Sequence, residues 1–267
     1  MTWYQTVGIW YGSRGDRKPR FAARSFILFI AFLALAGCAK TDSENVKSKG
    51  ISAGISVVAD GRGDTDVWTT LEVGNGLFAT QLTLSSSDHL LAYANGITKV
   101  MKYDGFPLLV AYQATFPFDD EDTEFRVEFN REQDVSAPNS TVTLPAPFSI
   151  TSAKGVTYAK DAIVSVNWEP AYTPDRMLVD YNVNCTGSDG GKHPASYTVG
   201  ADDNGQRNIS VAEILANASP GFSDSSKGCS MEITVMRQRT GTIDPHYGEG
   251  GQISAEQRRS INAGIAP

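Results

Sequence analysis

Glu124-Phe125-Arg126-Val127-Glu128-Phe129 puts three apolar side chains on one side of an extended backbone and three charged ones on the other. A period of two over six residues marks a strand with one dry face and one wet face, whereas a helix would scatter the same apolar residues around its circumference. The same alternation recurs upstream. Val67, Thr69, Leu71 and Val73 share one face, and Trp68, Thr70 and Glu72 share the other. Ser52–Ala59 precedes them as a strand, separated by the turn Asp60-Gly61-Arg62-Gly63-Asp64, and Gly74-Asn75-Gly76 follows as a hairpin signal. Leu77–Leu84, Asp88–Ala94, Ile97–Tyr103 and Phe106–Phe116 continue the series, with Asn95-Gly96 and Asp104-Gly105 as dipeptides suited to positive φ. Short strands at intervals of roughly 8–12 residues, with hardly a helical period among them, predict a β-sandwich.

Downstream, Ser136–Pro147 is rich in Pro, Ser and Thr and reads as an extended, semi-rigid linker. After it, Phe148–Thr151 begins a second set of strands. Val164, Val166 and Trp168 share a face, as do Val179, Tyr181, Val183 and Cys185, and then Cys229, Met231, Ile233 and Val235. Gln206–Val211 lies between them as a further strand, and Ala212–Ala216 as one helical turn. Ile253–Ile261 is predicted as a last edge strand, although Glu256-Gln257-Arg258-Arg259 favours helix locally. If the Cys185 and Cys229 strands are antiparallel neighbours, one cysteine ends its strand where the other begins, at the same end of the sheet. That placement predicts a disulfide, the alternative being two buried thiols.

The second half resembles an immunoglobulin-like or fibronectin-III-like module. The features are the Trp168 strand, the paired inner faces and the Ile214-Leu215 crossover before Cys229. It departs from antibody-type domains in that Trp168 precedes both cysteines.

The N-terminal region is of another kind. Five cations precede Ser25, and no charge follows until after Cys38. The apolar run is short for a bilayer span, which needs about 20 residues, and fits the apolar core of a secretion signal. Leu35-Ala36-Gly37-Cys38 closes it. The combination resembles a bacterial lipoprotein signal. That resemblance implies cleavage between Gly37 and Cys38, a diacylglycerol on Cys38 and acylation of the new amine. With Ala39 rather than Asp behind the cysteine, it also implies delivery to the outer membrane of a Gram-negative cell. The long polar and aromatic stretch before Ser25 suggests a translation start later than Met1.

Residues 39–50 hold one large apolar side chain, Val46, and are expected to be a flexible tether. The expected organisation is therefore a signal peptide (1–37), a lipidated cysteine and tether (38–50), a first sandwich (51–135), a linker (136–147) and a second sandwich (148–267). The expected fold class is all-β, with two tandem antiparallel β-sandwich domains.

Of the formal charge of −7 over 267 residues, residues 1–37 contribute +4, so the remainder stands at −11. Such a body does not suit nucleic acid or a polybasic hold on a membrane surface. His89, His193 and His246 are dispersed, no nucleophile elbow or phosphate loop is present, and no cofactor is expected. Asp60, Asp64 and Asp66 are weak calcium candidates in a Gly-rich turn, a composition any surface turn also favours. The acidic run Asp119–Asp122 with Glu124 reads as a solvated hairpin tip, and Arg62-Gly63-Asp64 as a chance integrin-type tripeptide.

Trp68 is the candidate ligand-binding residue, because its strand pattern aims it away from the core. Burial of both faces, or cover for a domain junction, is the more ordinary explanation of a tryptophan at such a position. The expected function is non-catalytic: a lipid-anchored envelope protein with a structural or binding role, whose partners are the membrane and an envelope protein or glycan. The alternatives are a glycan- or peptidoglycan-binding module using Trp68, and an envelope hydrolase.

Overall fold

The alternation at 124–129 is a strand, Glu124–Asn130, with Phe125, Val127 and Phe129 buried and Glu124 exposed. The computed structural model describes residues 40–74, 79–105, 109–152, 154–171, 173–218 and 227–267. Their strands are β1 (Lys40–Asp42), β2 (Ile51–Ala59), β3 (Thr65–Val73), β4 (Thr80–Thr83), β5 (His89–Ala94), β6 (Ile97–Val100), β7 (Lys102–Tyr103), β8 (Tyr112–Phe116) and β9 (Glu124–Asn130). β10 (Ala137–Thr143), β11 (Ser149–Ile150), β12 (Thr157–Tyr158), β13 (Ile163–Glu169), β14 (Arg176–Thr186), β15 (Lys192–Ala201) and β16 (Gln206–Ser210) follow. Helix α1 (Val211–Ala218) separates these from β17 (Cys229–Thr240) and β18 (Gln252–Ile265). Among the described residues, no helix is long and apolar enough to cross a membrane. The predicted turn at Asn95-Gly96 has both residues at positive φ, 47° and 76°, as a tight hairpin between twisted strands demands.

The architecture is an all-β sandwich built on one large sheet. Its order is β1-β4-β3-β2-β18-β17-β14-β15, with β8 beside β3, β7 beside β8 and β12 beside β18. Two smaller sheets, β10-β9-β5-β6 and β11-β13-β16, supply the opposing layers. The first closes a core of Val57, Leu71, Leu90, Phe125 and Phe129; the second closes one of Val166, Trp168, Val179, Tyr181 and Val235. Most pairings are antiparallel, as expected. The joint between the two halves is not: β18 pairs with β2 in parallel, Gln252 opposite Gly54 through Gln257 opposite Ala59.

Three expectations need correcting. Ile253–Ile261 is a strand but not an edge: β18 lies inside the large sheet, between β17 on one side and β2 and β12 on the other. Its inward face runs Ile253 and Ala255 in the first core, then Gln257 and Arg259, then Ile261 and Ile265 in the second. The polar residues that suggested a helix mark the place where one core gives way to the other.

The stretch read as a linker contributes β10, which pairs with β9 and buries Ala137 and Val142. It is an edge strand with a register shift between Ala137 and Ser140, which is where a sheet can take Pro138.

From Lys40 onward, the residues read as a tether are docked. β1 pairs with β4, and Ser43 and Ser48 are buried. The Ser48 hydroxyl donates to the Val135 carbonyl at 2.5 Å and accepts from Arg131 Nη1 at 2.9 Å, and Arg131 Nη2 donates to the Ser43 carbonyl. Hydrogen bonds hold most of this segment, and Val46 is its one large apolar side chain packed against the first core, so hydropathy carried little sign of the docking.

A buried polar cluster sits where the cores meet. Arg237 continues the inward face of β17 beyond Val235, and its side chain is wholly buried. It donates to the carbonyls of Ala146 (2.8 Å) and Pro170 (2.7 Å) and pairs with Asp203 at 3.0 Å. Asp203 also accepts from Trp168 Nε1 at 2.7 Å and from the Thr173 amide and hydroxyl at 2.9 and 2.6 Å. Burial alone would raise the Asp203 pKa, but the Thr173 and Trp168 hydrogen bonds and the Arg237 charge outweigh it and hold the carboxyl below its ordinary value.

Candidate binding groove

The face of the large sheet opposite the cores is the open one. Along β2 and β3 the side chains that point away from the core are Ser56, Val58, Asp66 and Trp68, all partly exposed. The register carries the row across: Trp68 lies opposite Ser56, Asp66 opposite Val58 and Thr115, Met236 opposite Arg258, Ser260 opposite Thr234, and Thr234 opposite Asp180. These residues line a groove of about 980 Å³. From β8 to β14 it crosses six strands, whose five spacings of about 4.8 Å make roughly 24 Å. Its central strands contribute the small side chains Ser56, Val58, Thr234 and Ser260 together with the larger Met236 and Arg258. Trp68 and the Asp60–Asp64 turn rise on one side, and Asp180, Asn182 and Glu232 on the other.

Most of the polar groups are held in place. Thr115 Oγ1 donates to Asp66 at 2.5 Å. Thr198 Oγ1 and Asn182 Nδ2 each donate to Asp180 at 2.7 Å. Thr234 and Ser260 share a hydroxyl–hydroxyl bond of 2.8 Å, and Arg258 is paired with the buried Glu256. Asp60 pairs with Arg62, and the hydrogen bond from that guanidinium holds the Asp60 carboxyl below its usual pKa. The lining carries five carboxylates (Asp60, Asp64, Asp66, Asp180, Glu232) and two guanidiniums (Arg62, Arg258), a net of −3.

Trp68 therefore faces away from both cores, half-buried in the groove wall whose lining also includes Asp60, Asp64 and Asp66. The aspartates do not form a metal cage: among the described residues, no three His, Cys, Asp or Glu side chains converge to hold an ion. Of the acidic run at 119–124, Asp122 is paired with Arg239, and the Asp119 carbonyl accepts from Gln257 at 2.8 Å. His246 bonds to the buried Asp244 at 2.8 Å, while His89 and His193 are exposed at separate places on the sheets. Cys185 and Cys229 are register partners joined by a disulfide. Gly37 and Cys38 lie outside the described residues.

The groove's second wall was not found from the sequence. Asp180, Asn182 and Glu232 are ordinary outward residues of their strands, and only the parallel β2–β18 joint brings them opposite Trp68. Compared with known proteins, the chain matches no family model and no curated sequence.

Proposed function

We propose that the protein is an exported component of a bacterial cell envelope, anchored through a lipid on Cys38, and that it binds rather than catalyses. The observation that carries this reading is the Cys185–Cys229 bridge, because disulfides persist in oxidising compartments outside the cytoplasm. It agrees with the Leu35-Ala36-Gly37-Cys38 signal, which reads as the site of cleavage and lipidation. Two or three acyl chains, at about 0.8 kcal/mol per buried CH₂, make a stable hold where one would be reversible. Ala39 favours the outer membrane as the destination. The second half, with Trp168 on β13 packed among the residues of β14 and β17, supports an immunoglobulin-like or fibronectin-III-like module, a scaffold suited to display and binding. The open sheet face is the surface through which such a protein would act.

Expression in a Gram-negative host with radiolabelled palmitate tests the anchor. The wild-type protein is expected to take up label and fractionate with outer membranes, and Cys38→Ala to lose both properties. An unlabelled, soluble wild-type protein would sink the proposal.

A further inference from the structure

The groove itself points to a class of ligand, an inference that rests on the binding role proposed above. We infer that it holds an uncharged glycan chain, laid across the strands between Trp68 and the Asp180–Asn182 rim. Ser56, Val58, Thr234 and Ser260 leave room between the walls beside Met236 and Arg258, and the partly exposed Trp68 brings an aromatic side chain to one wall. Sugar rings carry an apolar C–H face and a rim of hydroxyls, and the groove supplies a counterpart for each. Asp66 and Asp180 are fixed by Thr115, Thr198 and Asn182, yet each carboxylate keeps acceptor capacity for ligand hydroxyls. Groups already oriented lose little entropy when a ligand arrives.

Charge narrows the class. With a net of −3 in the lining, and an acidic protein around it, a chain of uronates, sulfates or phosphates is repelled. A cationic peptide is drawn by the same net of −3, so hexalysine is the competing occupant that the titration has to exclude. The Trp68 side chain and the acceptors already oriented at Asp66 and Asp180 are what favour a sugar.

The test is titration calorimetry on the full chain in detergent. The neutral probes are cello-, chito-, xylo- and mannohexaose; polygalacturonate is the anionic probe and hexalysine the cationic one. At least one neutral hexasaccharide is expected to bind and polygalacturonate not to. Trp68→Ala should weaken that binding at least tenfold, Trp68→Phe less than threefold, and Asn182→Ala on the opposite wall several-fold. Should Trp68→Ala fail to fold, Asn182→Ala carries the test, since that side chain is exposed. The inference is overturned if no neutral chain binds, if hexalysine or polygalacturonate binds more tightly, or if the variants that fold bind like the wild type. Membrane fractionation of Trp68→Ala separates this inference from the anchor. A variant that stays lipidated while sugar binding is lost supports the groove, and a wild-type protein that is lipidated but binds no neutral chain removes the groove alone.

Discussion

Asp203 shows how much one residue can hold in this protein. It joins Arg237, Trp168 and Thr173 where the two cores meet, and its side chain is 2% exposed. Asp203→Ala leaves the Arg237 guanidinium buried and unpaired, which should cost about 3–5 kcal/mol at pH 7, measured by urea unfolding. The pH dependence follows from the lowered pKa. The wild-type contribution is complete above the ordinary carboxylate range and is lost as pH falls through the folded value. The gap between wild type and variant should therefore narrow on going from pH 7 to pH 3, and an unchanged gap would refute the ionic account. Tyr247 gives the opposite sign. Its hydroxyl is buried with no hydrogen-bond partner among the described residues, and burial pushes its pKa well up. Tyr247→Phe removes an unpaid desolvation cost and should stabilise by about 1 kcal/mol in the same assay. At this scale alternation reveals facing and nothing more: Trp68 could be assigned to the outward side, but Asp203 could not be assigned to Arg237, 34 residues away.

Among the elements, β17 and β18 decide most. The Cys185–Cys229 bridge fastens β17 to β14 and closes a separation of 44 residues, worth about 4 kcal/mol in the chain-entropy view. Replacing both cysteines by serine should lower the unfolding free energy by about that amount, and reduction of the wild type should reproduce it. Gly241, just past the end of β17, has a reason to be glycine: a Cβ there would lie 2.1 Å from the Thr141 carbonyl, where β10 bonds to Thr242. The long strands were legible because their periodicity is regular. β15 was missed although Ala195, Tyr197, Val199 and Ala201 alternate with the exposed Ser196, Thr198 and Gly200. It is an edge strand whose inward side chains pack on the second core only partly buried, and two of those four are alanines that mark an apolar face weakly. Local helix preference at Glu256–Arg259 lost to pairing with β17 from Ser254 to Ile265.

At the scale of the whole molecule, β18 runs through both cores, with Ile253 in one and Ile261 in the other. Cores that share a continuous strand should unfold together. A single calorimetric transition is expected, and Ile253→Ala and Ile261→Ala should each lower that same Tm, at about 2–5 kcal/mol apiece. Two resolved transitions, each sensitive to only one substitution, would contradict it. The sequence by itself determined the all-β class, the inward and outward faces of the regular strands, the turn at Asn95-Gly96 and the pairing of Cys185 with Cys229. All of these follow from local period, φ preference or strand-end position. Only the tertiary structure decided that β18 sits inside the large sheet, that residues 40–50 are docked, and that the Trp68 and Asp180 strands wall one groove. Those outcomes depend on pairing between segments from about 40 to about 200 residues apart, and a two-residue alternation is the same whichever strand lies alongside.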